Sequence, residues 1–388
     1  MYFAMKLFDW TPPKVIEGPN SIEQIPEVIK SKGLTKPLII TDKVLTKLHM
    51  CDGLIQKLKQ QNVNYAYFDD VQPNPSIENI ESAYSLYKQN NCDSFIAIGG
   101  GSSIDCAKVT ACKVVRPRTP ISWFGGVLRV LRKLPPIIAI PTTAGTGSEV
   151  TIAAVVFDPK TSRKFSIIDP ILRPAYAVLD PTLTLSLPPH MTSTTGMDAL
   201  THAIEAYIGQ SNCKETIKDA EIAVKIIFEN LEKAYCNGND ITARWNMLRG
   251  SFHGGLAFTH AFVGYVHAVA HTVGGLYKVP HGLANAIALP YVLEFYGKDI
   301  HSHLAKLYDV AGLQTKATTN EDKANDFIDE IKNMNKRMNI PEKFDCIREE
   351  DMKLIVKRIL SESNPLYPVP RIMNSTECDR LVRQMTVF

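Results

Sequence analysis

Ser94-Phe-Ile-Ala-Ile-Gly-Gly-Gly-Ser-Ser-Ile-Asp-Cys-Ala-Lys108 begins as a β-branched and aromatic apolar run, passes through three glycines and continues at helical spacing. Runs of this length with no polar face suit a strand buried on both sides, as in a parallel sheet flanked by helices. Glycines at such a strand end let the backbone approach a ligand closely, and the opening of a helix offers unpaired N–H groups to a phosphate. The spacing is neither Gly-x-Gly-x-x-Gly nor a Walker A loop, so this turn alone is a weak signal. A second one follows. The strand-like Pro136-Ile-Ile-Ala-Ile140 leads into Pro141-Thr-Thr-Ala-Gly-Thr-Gly-Ser-Glu-Val-Thr151, dense in hydroxyls and glycine. Two such loops at adjacent strand ends predict a diphosphate cradle.

On either side of these loops, strands are expected at 37–41, 63–68, 153–157 and 176–179, with helices at 45–61 and 76–90. This alternation argues for a largely parallel, helix-covered sheet, whose ligands sit beyond the carboxyl ends of its strands. Asp42 ends the first clear strand. It suits either a ribose hydroxyl partner or the N-cap of the next helix. Past Ser186-Leu-Pro-Pro189 the pattern becomes helical, with segments expected at 215–235, 240–276, 296–311, 320–337 and 349–361. The expected architecture is thus an α/β dinucleotide-binding domain over 1–185 followed by an all-α metal-binding domain over 186–388.

The helical half carries the second constellation. Asp198 and His202 are four apart in a stretch free of breakers, which puts both on one helical face. His267 and His271 repeat that spacing, and His281 follows Pro280 at the expected start of a new element. One carboxylate and three imidazoles, Asp198, His202, His267 and His281, make an N3O set suited to a divalent transition metal. The competing reading is a structural stripe, because His253, His260 and His267 stand seven apart and would align on one uninterrupted helix. His271 lies one turn beyond a ligand; it is read as a proton relay, against a bond tying its helix to a neighbour.

Composition narrows the class. The 388 residues are 45% hydrophobic and 21% charged, ordinary for a globular chain, and a net charge of +3 gives no argument for nucleic acid. The eight cysteines contain no Cys-x-x-Cys pair, which suits reduced thiols. The first ten residues lack an apolar run of signal-peptide length, and 261–277 is broken by histidine and glycine. A cytoplasmic protein with no membrane span is expected.

Together, Gly99-Gly-Gly-Ser-Ser-Ile-Asp105, Pro141-Thr-Thr-Ala-Gly-Thr-Gly-Ser-Glu149, Gly196-Met-Asp-Ala-Leu-Thr-His-Ala-Ile-Glu205 and the His267 to Gly282 segment resemble the iron-containing (group III) alcohol dehydrogenases. Their fold is shared with glycerol dehydrogenase and dehydroquinate synthase. The resemblance runs from about residue 10 to Asn364-Pro-Leu-Tyr-Pro-Val-Pro370. It implies that Asp198, His202, His267 and His281 carry Fe²⁺, with Zn²⁺ also compatible. It places NAD against Asp42, Asn74, Gly100, Gly101, Ser102, Asp105, Thr142, Thr143, Thr146, Ser148, Thr151, Lys164 and Leu183. The implied activity is hydride transfer between nicotinamide and a small alcohol or aldehyde, in a cleft between the α/β and helical halves of the chain; relatives of this kind are commonly homodimers or larger homo-oligomers. The alternative is a metal- and NAD-dependent lyase or cyclase of the dehydroquinate synthase type, which would need basic residues for an anionic substrate; few flank the metal motifs. A non-catalytic binding protein on this scaffold would be expected to have lost a ligand or the glycine loop. His253 and His260 depart from the family pattern near the metal.

Overall fold

The computed structural model describes residues 11–161, 163–314 and 316–388. The ten-residue opening read above for a targeting signal lies outside them. The chain forms two compact units: one runs to Thr143 and resumes over Gly147–Leu185, and the other comprises Ala144–Thr146 and Ser186–Phe388.

The first unit contains strands β1 (Lys14–Glu17), β2 (Pro37–Ile40), β3 (Ala66–Phe68), β4 (Ser94–Gly99), β5 (Gly126–Val127), β6 (Ile137–Pro141), β7 (Ala153–Asp158), β8 (Arg163–Ile168) and β9 (Tyr176–Leu179). Its helices are α1 (Ile25–Ser31), α2 (Lys43–Lys47), α3 (Asp52–Gln60), α4 (Ile77–Gln89) and α5 (Gly101–Val115). Six strands form a parallel sheet in the order β1-β9-β6-β4-β2-β3. Burial of β2, β4 and β6 along their whole length explains their uninterrupted apolar runs. One face packs Leu38, Phe95, Ala97 and Ile137 with residues of α4 and α5; the other packs Ile39, Ile96, Ile98 and Ile138 with α1 and α3. From β2 the chain steps outward to β3, then returns to lay β4 on the opposite side of β2. The carboxyl ends of β2 and β4 therefore flank the topological switch point, where open α/β sheets bind ligands.

Three strands escaped the sequence reading. β1 and β5 are short, and β8 carries Arg163 and Lys164 in a small second sheet, β5-β8-β7, where it pairs antiparallel with β7. The helix expected over 45–61 is two helices, separated by a turn in which His49 takes a φ of 57°.

The second unit is helical: α6 (Pro189–Ile208), α7 (Lys214–Cys236), α8 (Ile241–Ala261), α9 (Tyr265–Tyr277), α10 (His281–Tyr296), α11 (His301–Val310), α12 (Asn320–Arg337), α13 (Met352–Ser363) and α14 (Ser375–Gln384). The single helix expected over 240–276 breaks at Phe262, whose φ is 64°. The histidine stripe is thereby cut, and His267 belongs to a different helix from His253 and His260. Gly274 and Gly275 lie inside α9; the break before His281 falls at Lys278, with φ 60°. Among the described residues no helix is long and apolar enough to cross a membrane.

Candidate metal and cofactor sites

α6 spans twenty residues, continues through Gly196, and is buried from Gly196 to Ile208. That burial brings Asp198 and His202 inside together, one turn apart on one face. α9 supplies His267, and α10 opens on His281. The three Nε2 atoms approach a single carboxylate oxygen: Asp198 Oδ1 lies 4.0 Å from His202, 3.8 Å from His267 and 3.5 Å from His281. Donors of Asp198, His267 and His281 all fall within 4.8 Å of one another; His202 stands beside this group but outside that mutual limit. Four donors about 2.1 Å from a tetrahedral centre would stand roughly 3.4 Å apart, so the spacing fits a divalent metal after small adjustments. Charge state fits as well. Burial pushes His202 down, against the Asp198 carboxylate and the Gly145 backbone, which favour its charged form. Burial pushes His267 well down, reinforced by the neighbouring histidines. Neutral imidazoles keep the lone pairs that a metal needs.

The supporting groups were missed by the sequence reading. Glu205 is one turn beyond His202 on α6, completing an i, i+4, i+7 face with Asp198. Its Oε2 accepts from the Gly264 N–H and bonds His267 Nδ1 at 2.6 Å, while Oε1 accepts from the Val266 N–H. Burial raises Glu205 to about 7, opposed by those hydrogen bonds. The bond at Nδ1 turns His267 Nε2 toward Asp198, the arrangement by which carboxylates orient metal-binding imidazoles. Asn285, one turn after His281, donates from Nδ2 to Asp198 Oδ1 at 2.6 Å. The signal for both was the four-residue and seven-residue spacing from residues already singled out.

His271 Nδ1 bonds Glu362 Oε1 at 2.6 Å, and its ring stacks on His281 with centroids 5.2 Å apart. His253 Nδ1 bonds Asp219 Oδ1 at 2.9 Å. Burial pushes His260 down, against Asp219 and Glu215 of α7. Both departures from the family pattern thus face the acidic side of α7.

In the first unit, β4 and β6 end in register, Gly99 beside Pro141, so the two hydroxyl- and glycine-rich loops are neighbours as expected. Gly100 is the N-cap of α5 and has no side chain to satisfy its first-turn N–H groups. Gly99 adopts φ +149°, and an added Cβ would collide with the Ser103 side chain, so only glycine makes this turn. Ser102 Oγ accepts from the Asn74 N–H at 3.1 Å. Thr142 donates its N–H to Gly99 O, and Thr143 lies against Gly100. Asp42 caps α2, accepting from the N–H groups of Val44 and Leu45.

Asp105 and Ser148 bond each other at 2.6 Å, and Asp105 also accepts from the Val155 N–H. Buried Lys108, unnoticed in the sequence, donates to Ser148 Oγ, to the carbonyl and hydroxyl of Thr151 and to the Ala153 carbonyl. These residues hold the second loop to α5. Lys164 on β8 is partly buried and its ammonium is pushed down by that burial; Leu183 packs in the core under the sheet. Thr146 belongs to the short stretch grouped with the second unit.

A sequence model of the iron-containing alcohol dehydrogenases matches residues 12–181, and one of the C-terminal part of that family matches 192–386. The chain belongs to this family and is an alcohol oxidoreductase. It is 35% identical over 391 residues to the 1,3-propanediol dehydrogenase of Citrobacter freundii, covering 98% of this chain and 99% of the relative. It is 35% identical over 365 residues to the NAD-dependent methanol dehydrogenase of Bacillus methanolicus, covering 91% and 94%. The solved structure of a 1,3-propanediol oxidoreductase superposes with a TM-score of 0.93 at 34% identity, covering 98% of this chain and all of the other, 100%. These relatives support the dehydrogenase reading over the lyase.

Proposed function

We propose that the protein oxidises a short primary alcohol or diol with NAD and reduces the corresponding aldehyde, with Fe²⁺ held by Asp198, His202, His267 and His281. The carrying observation is the approach of three imidazole Nε2 atoms to one buried carboxylate oxygen. When bound, the metal supplies Lewis-acid polarisation of the substrate oxygen, and the nicotinamide supplies or takes the hydride. The protein's own residues bind, orient and move a proton. Glu205 holds His267 at Nδ1, and Asn285 holds Asp198 at Oδ1. His271 passes the alcohol proton at its Nε2. The Gly100–Ser102 turn and the Thr142–Thr151 loop cradle the cofactor diphosphate, and Asp42 takes the adenosine ribose. The names of the propanediol and methanol relatives support a small, uncharged substrate. Zn²⁺ fits the same donors. A cytoplasmic homo-oligomer completes the reading.

The test is a panel of methanol, ethanol, propanol, butanol and 1,3-propanediol, with their aldehydes, followed by NADH absorbance on protein reconstituted separately with Fe²⁺ and Zn²⁺. Metal-dependent turnover of at least one short alcohol is expected. No NADH change with any substrate under either metal would sink the proposal.

A further inference from the structure

Glu362 lies at the end of α13 and was not singled out in the sequence; it does not ligate the metal set. Its Oε1 bonds two groups, His271 Nδ1 at 2.6 Å and the Tyr367 hydroxyl at 2.7 Å. One oxygen within reach of both groups is the geometry of a carboxylate accepting twice. Although burial works to raise the Glu362 carboxyl, its interactions with His271 and Tyr367 hold it below the ordinary range. An ionised carboxylate has no proton to give, so both partners must be donors. The Tyr367 phenol keeps its proton: burial, with Glu362 adding to it, pushes it well above its usual value. His271 consequently carries hydrogen on Nδ1.

We propose that Glu362, anchored by Tyr367, is the positioning residue for His271: it fixes the Nδ1–H tautomer and the ring orientation, and so leaves Nε2 as the nitrogen that handles the proton. The inference rests on the relay role of His271 given above. The same geometry explains why a bond between neighbouring helices and a catalytic task coexist in one imidazole. A neutral imidazole has one donor and one acceptor nitrogen, and a neighbour at Nδ1 decides which is which. Without Glu362 the ring can turn about Cβ–Cγ, and either tautomer becomes available. Tyr367 acts one step further out. Its hydroxyl holds the carboxylate oxygen that holds the ring.

The experiment combines a mutant cycle with a spectroscopic reading of the full-length, zinc-loaded protein. In ¹⁵N-labelled histidine spectra, the His271 resonance, assigned by its loss in His271→Ala, should show the Nδ1–H tautomer. Glu362→Ala should convert it to a mixture. Turnover should fall about tenfold or more in Glu362→Ala, with the KM for NAD unchanged and metal content retained. Glu362→Gln, whose carbonyl still accepts from Nδ1–H, should recover most of it, and Tyr367→Phe should lose only a few-fold. His271→Ala/Glu362→Ala should be no slower than His271→Ala alone, since residues acting as one unit are not additive. If Glu362→Ala fails to fold, Glu362→Gln and Tyr367→Phe still carry the tautomer reading. An Nε2–H tautomer in the unmodified protein, or normal turnover in Glu362→Ala while His271→Ala is impaired, overturns the inference and leaves the relay standing. Normal turnover in His271→Ala removes the relay itself, and the positioning role with it.

Discussion

At Asp42 the capping bonds to Val44 and Leu45 both use Oδ1, which leaves the other oxygen and the negative charge at the carboxyl end of β2. The two roles read from the sequence are compatible, because an N-cap needs one oxygen and a ribose hydroxyl can take the second. A 2′-phosphate there meets like-charge repulsion and a lost hydrogen bond, on the order of 2–4 kcal/mol together. Asp42→Gly costs only a few tenths of a kcal/mol as a cap. It should therefore raise kcat/KM for NADP at least tenfold while lowering that for NAD; equal use of both cofactors by the unmodified enzyme would remove this argument. Gly264 is the corresponding point in the second unit. A Cβ there would sit 2.7 Å from Glu205 Oε1, closer than any relaxed contact. Gly264→Ala should displace Glu205 from His267 and weaken metal binding roughly ten- to a hundredfold, read by chelator competition. Unchanged affinity would mean that Glu205 does not orient the ligand.

At the scale of elements, α6 and α5 show what periodicity can and cannot reveal. Four-residue spacing exposed Asp198 with His202 and His267 with His271, since helix geometry alone makes such residues neighbours. Glu205 and Asn285 stand at the same helical spacings, but their roles, like that of Glu362, are set by what α9, α6 and α9, respectively, bring against them. The parting of α8 and α9 at Phe262 was also hidden, because its one breaker is Gly264, the N-cap of α9, set among aromatic and β-branched residues without a proline. α5 and the loop after β6 share a buried polar network with its own pH signature. Burial raises Glu149 from an ordinary 4.5 to about 7, opposed by its backbone hydrogen bond and by Lys108. Between those values the folded chain holds a proton that the unfolded chain has released, so this group's contribution to stability falls as pH rises from about 4.5 to about 7. Glu149→Gln should flatten that part of the stability curve by something on the order of 1–3 kcal/mol in chemical denaturation. A curve superimposable on that of the unmodified protein would show that Glu149 is not titrating in this range.

For the whole molecule, the parallel, helix-covered sheet was legible as alternation, and the adjacency of the two glycine-rich loops followed from their places after buried strands. The strand order was not legible, because alternation does not say which strands pair. Nor was the small sheet β5-β8-β7, because two-residue and charged strands carry no alternation to read. Metal binding links the site to global stability, since a ligand that binds only the folded state stabilises it by about 4 kcal/mol at a thousandfold excess over Kd. Removing metal with a chelator should lower the Tm by several degrees, and either Fe²⁺ or Zn²⁺ should restore it; a Tm indifferent to both would contradict a site built from three helices. Asp198, His202, His267 and His281 are proposed to form one metal site serving alcohol oxidation. His202 is its sharpest test, because its Nε2 lies 4.0 Å from Asp198 Oδ1, the longest of the three approaches. The direct measurement is metal stoichiometry alongside NADH formation in His202→Ala. Both should fall together, with turnover lower by at least a hundredfold; full metal stoichiometry with near-normal turnover would show that His202 is not a ligand.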